Sequence, residues 1–175
     1  MDFELLGRAP GVTLNLDHRE FAYAGKFVMS STGKSVVRDD GEIVGAVAFS
    51  EDHSEPTAVR LRYVTVREDR RGEGIGPAVL RFTADRLIGP YRRVLTAVNN
   101  PIAYQACYRA GFVFTGEETG IAEVLLAYEP GQQRSSERYS EGFAAFEGRD
   151  LPDKQRAIVE KYRGSEPPPV VPVPD

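Results

Sequence analysis

One stretch of the sequence combines arginine and glycine in a pattern that can bind an anion. It runs from Val64 to Gly76 and ends in Arg71-Gly-Glu-Gly-Ile-Gly76. It joins a predicted strand to a predicted helix, and a helix start offers free N–H groups and the positive end of the helix dipole. Glycines let those N–H groups approach a phosphate closely, and Arg71 adds a positive charge. The stretch therefore predicts a phosphate-binding strand–loop–helix.

The spacing of the glycines separates this loop from two common nucleotide-binding motifs. Gly72, Gly74 and Gly76 alternate, unlike the Gly-x-Gly-x-x-Gly of dinucleotide-binding folds. No Gly-Lys-Ser/Thr follows, so the loop does not match a P-loop. Alternating glycines also occur in ordinary flexible turns, so the motif needs support from a second element.

A second element begins about 25 residues later and reads as a helix. Asn100 suits the N-cap, Pro101 the first helical position, and Gly111 the end of the helix. In full it is Asn100-x-x-Ala103-x-x-Ala106-Cys107-Tyr108-Arg109-Ala110-Gly111-Phe112.

The two elements together resemble the GNAT superfamily of acyl-CoA-dependent N-acetyltransferases. Arg71-x-x-Gly74-x-Gly76 is similar to the family's Gln/Arg-x-x-Gly-x-Gly/Ala element, which binds the pyrophosphate of acetyl-CoA. The segment from Asn100 to Phe112 resembles the family's Asn-x-x-Ala-x-x-Leu-Tyr-Glu-Lys-x-Gly-Phe helix. The resemblance extends over residues 35–128 and implies acetyl-CoA or another acyl-CoA as co-substrate, with no metal.

The resemblance also implies roles for individual residues. The strand end around Val64 and Val66 would offer backbone groups to the pantetheine arm and the acyl carbonyl, and an N–H there could stabilise an oxyanion. Asn100 would lie close to the pantetheine, although a plain N-cap role explains it equally well. Pro77 has no N–H to give to a phosphate. The pyrophosphate ligands implied are Arg71, Gly72, Gly74, Ile75 and Gly76.

Three residues are candidates for the acid that protonates the leaving thiolate. Cys107 stands where the family often has a tyrosine in this role. A thiol with an ordinary pKa of about 8.5 could protonate a thiolate of similar basicity, but a cysteine among alanines also suits a core position. Tyr104 and Tyr108 lie on an adjacent stripe and could replace the missing phenol, or could be packing residues.

The general base is not identified by any motif. Glu51, Asp52 and His53 follow a predicted strand, and Glu123 lies near the last one, but a solvated loop and a solvent-facing strand position also explain them. Two functions of different class therefore stay open. One is acyl transfer from acyl-CoA to a primary amine of a small molecule or peptide. The other is a non-catalytic acyl-CoA-binding or interaction module.

The elements that must position these residues alternate between strands and helices. The pattern predicts a mixed α/β layer fold. The resemblance implies that this α/β fold (α+β mixed sheet) is GNAT-like, with a central, mostly antiparallel sheet flanked by helices. An Asp-Gly step marks the hairpin turn at Asp39–Glu42. The predicted strands are 35–38, 43–49, 59–66, 93–98, 112–115 and 122–128, and the predicted helices are 74–87 and 101–110.

The two ends of the chain give weaker patterns. Val12–Leu16 alternates and is predicted as an edge strand, and Arg19–Met29 as a short helix. The polar Gln132–Tyr139 stretch carries no element prediction, while Pro152–Arg163 suits a helix ending at Gly164. The predicted domains are an acyltransferase domain at 1–130, a helical extension at 131–164 and a proline-rich, flexible tail at 165–175.

Composition and charge exclude several classes of partner. The net charge is −4, and acidic residues dilute the arginine clusters, so nucleic acid is not expected. No apolar run reaches the roughly 20 residues that cross a bilayer, and no leader pattern opens the chain, so no membrane is expected. One cysteine and no disulfide favour the cytoplasm. Two histidines argue against a histidine-rich metal site, and a homodimer stays open.

Overall fold

The computed structural model describes residues 1–119 and 122–175 of the chain. In these residues, seven strands and four α-helices form a mixed α/β fold in which the strand pairing is mostly antiparallel. The predicted fold class is therefore confirmed. The chain divides into two compact units, Met1–Val94 with Val171–Asp175 and Leu95–Val170.

The first unit is built on four strands, each antiparallel to the one before it. The predicted hairpin is present, and Asp40 and Gly41 take the positive φ angles of 49° and 82° that its turn requires. The predicted strand at 59–66 is present as well, one residue longer at its start. The strands are β1 Asp2–Gly7, β2 Gly33–Asp39, β3 Glu42–Glu51 and β4 Ala58–Val66.

One face of these strands is covered by the first helix, α1, Ile75–Leu87. Its first residue packs so closely on β3 that a Cβ at Gly45 would lie 3.1 Å from Ile75 Cγ2. Further along, the hydroxyls of Ser35 and Thr83 share a buried hydrogen bond. The helix starts and ends where the glycine pattern predicted, because Gly89 follows it with φ 111°.

The other face is covered by the segment at 8–32, which connects β1 to β2. Strand alternation places Val36, Ala46 and Ala48 on this face, where they form a core with Leu14 and Phe27. The prediction of an edge strand at Val12–Leu16 is wrong, because the sequence alternation reflects an extended segment packed on the sheet. The edge strand is β1, and the helix predicted at 19–29 shrinks to a 3₁₀ turn at Ala24–Val28.

A buried lysine fastens the end of this segment to β2. Lys34 is fully buried, and its ammonium donates to Met29 O at 2.6 Å, Thr32 O at 2.8 Å and Thr32 Oγ1 at 3.0 Å. These three acceptors satisfy the three N–H donors of a lysine. Burial lowers the pKa of Lys34 from its ordinary value. The ammonium therefore holds the turn before β2 without a carboxylate partner among the residues that the structure describes.

The second unit contains most of β5 and all of the later elements. The α2 helix starts at the predicted proline, and β6 and β7 pair in antiparallel fashion with Phe114 opposite Leu126. The polar stretch at 132–139 contains the start of a helix, α3, that was not predicted. The elements are β5 Arg93–Val98, α2 Pro101–Arg109, β6 Val113–Glu118, β7 Val124–Tyr128, α3 Ser136–Ala144 and α4 Asp153–Tyr162.

An aromatic core joins α2 to α3 within this unit. Tyr104 packs edge-on against Phe143 with ring centroids 4.7 Å apart, and Tyr108 against Tyr139 at 4.6 Å. Gly142 faces Tyr104 so closely that a Cβ there would overlap the phenol ring. The glycine is therefore needed for the approach of the two helices.

The proline-rich end has no helix or strand after α4. Pro168 O accepts a hydrogen bond of 2.9 Å from Arg134, which also donates to Tyr108 O at 3.0 Å. In the described residues, no helix has the length and apolar character to cross a membrane. The same residues contain no cluster of three or more histidine, cysteine or acidic side chains that could hold a metal.

Candidate functional site

The predicted anion-binding loop follows β4 directly. One extra residue, Arg62, interrupts the register between β3 and β4, and its Nε donates to Ser50 Oγ at 2.8 Å. Such a bulge re-aims the residues that follow it. Beyond it, Val64 and Val66 are half-buried, while Thr65 is buried and its Oγ1 has no hydrogen-bond partner within the described parts of the chain.

The turn after β4 is held by backbone bonds. Arg67 N donates to Val44 O at 2.9 Å, and Glu68 N donates to Glu20 O at 2.8 Å. A single 3₁₀ turn then spans Glu68–Arg70. These bonds fix the loop both to β3 and to the segment that covers the opposite face of the sheet.

The glycines open a run of free backbone N–H groups at the start of α1. Gly72 and Gly74 take φ angles of 87° and 82°, which side chains rarely allow. Between Gly72 and Gly76, the N–H groups have no acceptor among residues 1–119 and 122–175. Since the helix dipole is positive at this end, the arrangement suits an anion.

The three arginines of the loop differ in their partners. Arg67 pairs with Asp69 at 2.7 Å, and Arg70 pairs with Glu73 at 2.8 Å and with Asp39 at 3.0 Å. Arg71 is exposed and has no ion pair within the described sequence. Its guanidinium is therefore available to a ligand, whereas the other two stabilise the loop.

Packing alone does not explain the glycine at position 76. Gly76 lies in the first turn of α1, and a Cβ there would meet only Val66 Cγ2, at an ordinary 3.7 Å. Alanine would favour the helix and add only one methyl group, so a small residue here keeps the space in front of the N–H groups free of a longer side chain. Pro77 lies in the same first turn, where a missing N–H breaks no helical bond.

Asn100 takes the N-cap position predicted for it in the second unit. Its Oδ1 accepts a hydrogen bond of 2.9 Å from Ala103 N, which satisfies a free N–H at the start of α2. The structural role predicted for this residue is confirmed. The contact with a pantetheine arm stays a prediction.

All three candidate acids are buried on α2. Burial raises the pKa of the Cys107 thiol to about 12. Burial also raises the pKa of both tyrosines, whose hydroxyls have different partners. Tyr104 donates to Tyr139 O at 2.8 Å, whereas the Tyr108 oxygen accepts from Phe114 N at 2.9 Å. The proton of Tyr108 is thus not used in that bond.

The candidate bases have distinct surroundings. Asp52 is buried, pairs with Arg60 at 3.0 Å and accepts from two backbone N–H groups, so it organises its own loop. Glu51 and His53 are exposed. All three precede the start of β4, about 26 Å along the nine-residue strand from the glycine loop. Glu123 is half-buried beside β7, and its carbonyl accepts from Thr119 N at 2.8 Å.

A hollow that the sequence did not predict lies on the segment before β2. Its volume is about 570 Å³, and its lining includes Tyr23 and Lys26. The ring centroid of Tyr23 lies 5.8 Å from that of Tyr63 on β4. No sequence motif marks these residues, although four exposed large apolar side chains fall between Val12 and Met29.

Comparison with known proteins identifies relatives of this arrangement. The sequence profile described as the Acetyltransferase (GNAT) family matches residues 10–112, which is more than half of the chain. A search of the curated proteins finds no match. The profile covers the strand, the glycine loop, α1 and the whole of α2.

Solved structures are similar to the chain at low sequence identity, and one from Bacillus subtilis supports the same fold. The Bacillus subtilis acetyltransferase in complex with CoA is 12% identical, with a TM-score of 0.50 over 56% of this chain and 76% of that one. A GNAT family acetyltransferase from Elizabethkingia anophelis with acetyl-CoA bound is 17% identical, with a TM-score of 0.49 over 57% of this chain and 77% of that one. The IAA acetyltransferase from Bacillus cereus is 20% identical, with a TM-score of 0.45 over 56% of this chain and 77% of that one.

Proposed function

The chain belongs to the GNAT acetyltransferase family, and from this we propose that it transfers an acetyl or similar acyl group from acyl-CoA to a primary amine. The observation that carries the proposal is the run of N–H groups from Gly72 to Gly76 beside the side chain of Arg71, all without a partner in the part of the chain that the structure describes. This run coincides with the family's pyrophosphate-binding element. Acyl-CoA is accordingly the expected co-substrate.

The proposed acyl-CoA site uses residues with separate tasks. The N–H groups of Gly72, Gly74, Ile75 and Gly76 bind the pyrophosphate, and Arg71 adds the charge-assisted contact. The backbone of β4 at Val64 and Val66 orients the pantetheine and stabilises negative charge on the acyl oxygen. Asn100 secures the start of α2 and offers its amide to the pantetheine.

Among the acid candidates, the contacts favour Tyr108. The pKa of about 12 makes Cys107 a weaker acid than an ordinary thiol, which opposes proton donation to a thiolate. The hydroxyl of Tyr104 already donates its proton in the hydrogen bond to Tyr139 O. Burial raises the pKa of Tyr108 as well, and its hydroxyl interacts with that of Tyr104, but its proton is not used in the bond from Phe114 N. Exchange of Tyr108 for phenylalanine separates these cases, because general acid help is worth about 10²–10⁴-fold in rate.

None of the three candidates before β4 suits the role of base, so we assign removal of the amine proton to water. Asp52 is occupied by Arg60, and Glu51 accepts a hydrogen bond of 3.3 Å from Tyr91. His53 shares the same end of β4, away from the glycine loop. We therefore expect that Glu51→Gln and His53→Asn keep turnover within about threefold of the unchanged protein, against the 10²-fold loss of a true base.

The function is tested by incubating the protein with acetyl-CoA and a panel of amines and peptides, followed by mass spectrometry. The expected result is a mass gain of one acetyl group on at least one amine. Arg71→Gln should weaken acetyl-CoA binding about tenfold, because one charge-assisted contact is lost. Arg8→Gln removes the same charge from an exposed site after β1 and should change binding little.

A second function is favoured by one observation, the burial of all three candidate acids. On this view the chain binds acyl-CoA but does not transfer the acyl group. Acetyl-CoA binding that depends on Arg71, with no acetylated product from any amine, would select this alternative. If Arg71→Gln binds acetyl-CoA as tightly as the unchanged protein, the proposed pyrophosphate site at the glycine loop is rejected for both functions.

The remaining proposals concern the cellular location, the domain division and the oligomeric state of the protein. The cytoplasmic location rests on the single, buried Cys107. The domain division at 130 and 164 and the homodimer are likewise proposals. Light scattering of the purified chain tests the dimer, because a monomer has a mass of 19.3 kDa.

A further inference from the structure

The hollow before β2 has the size of a small-molecule site. Its volume of about 570 Å³ lies within the usual range for such sites. Phe21 and Met29 contribute apolar walls, Tyr23 an aromatic one, and His18 and Lys26 the polar groups. The hollow is thus mainly apolar with a few polar groups, as ligand sites commonly are.

Its position links it to the proposed acyl site within the first unit. Tyr63 contacts the hollow through Tyr23, and Lys26 Nζ lies 5.7 Å from the Tyr63 ring centroid. Tyr63 directly precedes Val64, whose backbone we assign to the acyl group. The bond from Glu68 N to Glu20 O ties the same segment to the glycine loop. A molecule in the hollow would therefore lie beside the strand end that holds the acyl carbonyl.

The backbone and the exposure at Tyr23 also point to a ligand. Tyr23 has φ 61°, a left-handed conformation that is unfavourable for a bulky residue, and its side chain is 60% exposed. Val28 and Met29 are 50% and 47% exposed. Strained residues cluster at binding sites, and grouped exposed apolar side chains mark interaction surfaces.

The charges of the lining select among amines. The lining contains no carboxylate, and it has two basic side chains, His18 and Lys26. Nearby Asp17 is neutralised by Arg19 at 2.8 Å. A polyamine would find no anionic partner for its second ammonium group. A carboxylate would find Lys26, which has no ion pair among residues 1–119 and 122–175.

We propose that this hollow binds the acceptor, an amine that carries both an apolar or aromatic body and a carboxylate. The inference rests on the proposed acyl transfer. The acceptor nitrogen forms a bond to the acyl carbon as the thioester C–S bond breaks. The amine proton leaves to water, and the sulfur takes up a proton to leave as a thiol. Tyr23 holds the aromatic body between the apolar walls of Phe21 and Met29, and Lys26 holds the carboxylate.

The test compares three acceptors with acetyl-CoA. Phenylalanine has the aromatic body and the carboxylate, 2-phenylethylamine lacks the carboxylate, and spermidine has neither. We expect kcat/KM for phenylalanine to exceed that for 2-phenylethylamine about tenfold, with spermidine lowest. Lys26→Met should abolish this preference by raising KM for phenylalanine alone. Lys154→Met, the matched charge loss on α4, should preserve it.

Tyr23→Gly provides a second variant whose folding is not in question. Glycine relieves the left-handed strain, so the melting temperature should hold or rise, while KM rises for both aromatic acceptors. A preference for spermidine, or a phenylalanine preference that survives Lys26→Met, would overturn the inference but leave acyl transfer intact.

Product binding separates this inference from the function itself. N-acetylphenylalanine should bind the unchanged protein and lose about tenfold in affinity in Lys26→Met, whether or not turnover is seen. If no amine is acetylated but this pattern of binding holds, the site stands and acyl transfer fails. Equal binding to both proteins would overturn the site.

Discussion

The exchange Gly76→Leu should make the protein more stable and yet unable to bind acetyl-CoA tightly. Gly76 lies in the first turn of α1, where leucine is favoured over glycine by about 0.8 kcal/mol. The new Cβ meets Val66 Cγ2 at an uncrowded 3.7 Å. For a chain of this size, the gain should raise the melting temperature by about 2–3 °C.

The loss of binding follows from the space that leucine fills. If its side chain removes two charge-assisted hydrogen bonds to the pyrophosphate, at about 1.5 kcal/mol each, the Kd rises about 100-fold. At a concentration 100 times the original Kd, acetyl-CoA stabilises the unchanged protein by about 2.7 kcal/mol. The same concentration should stabilise the variant by only about 0.4 kcal/mol.

Thermal unfolding with and without acetyl-CoA measures both effects in one series, and calorimetric titration gives the Kd directly. Gly76→Ala is the matched control: its Cβ should stabilise the helix while the ligand shift survives. The reasoning is refuted if Gly76→Leu keeps the full acetyl-CoA shift. It is also refuted if the variant loses stability without ligand, because the space at position 76 would then be needed for folding.

Three further changes probe the surrounding structure by thermal or urea unfolding. Thr65→Val removes a buried hydroxyl without a partner in the described residues and should add about 1 kcal/mol; a loss would reveal a partner for Oγ1. Gly142→Ala should cost about 1–3 kcal/mol because the methyl group overlaps Tyr104; an unchanged stability would mean that α3 moves freely. Deletion of residues 166–175 should cost only about 1 kcal/mol, since Arg134 loses one acceptor; a larger loss would show that the tail is integral.

The hairpin and the first two helices were predictable because their signals are local. The Asp-Gly turn, the proline that opens α2 and the glycines that flank α1 act through φ angles and missing N–H groups of single residues. Such constraints hold in any tertiary context. The sequence alone therefore locates the glycine loop, and the structure adds that its N–H groups lack acceptors in the described residues.

The failures come from elements that depend on distant contacts. Val12–Leu16 alternates like a strand, but its Leu14 packs on the sheet face, and the Leu14 N–H donates to Phe27 O at 2.8 Å. The true edge strand, Asp2–Gly7, has a weaker pattern and forms because β2 lies beside it. Helix α3 was missed, although Tyr139 and Phe143 have helical spacing and Ser135 caps the start with a bond to Arg138 N.

The hollow was beyond sequence prediction for a different reason. Tyr23 and Lys26 meet Tyr63 only because the segment at 8–32 folds back over β4. No spacing rule relates residues that are 40 positions apart in different elements. The candidate acids illustrate the converse, since spacing placed them on α2 but could not show that all three are buried.

Because Lys34 is buried, its chemical labelling can report the local unfolding of the chain. The sequence has four lysines, and Lys26, Lys154 and Lys161 are exposed while Lys34 is fully covered. An amine-reactive reagent should label the three exposed lysines at once and Lys34 only when the turn before β2 opens. The ratio of slow to fast labelling, read by peptide mass spectrometry, would then report local opening in dilute samples or in cell extracts.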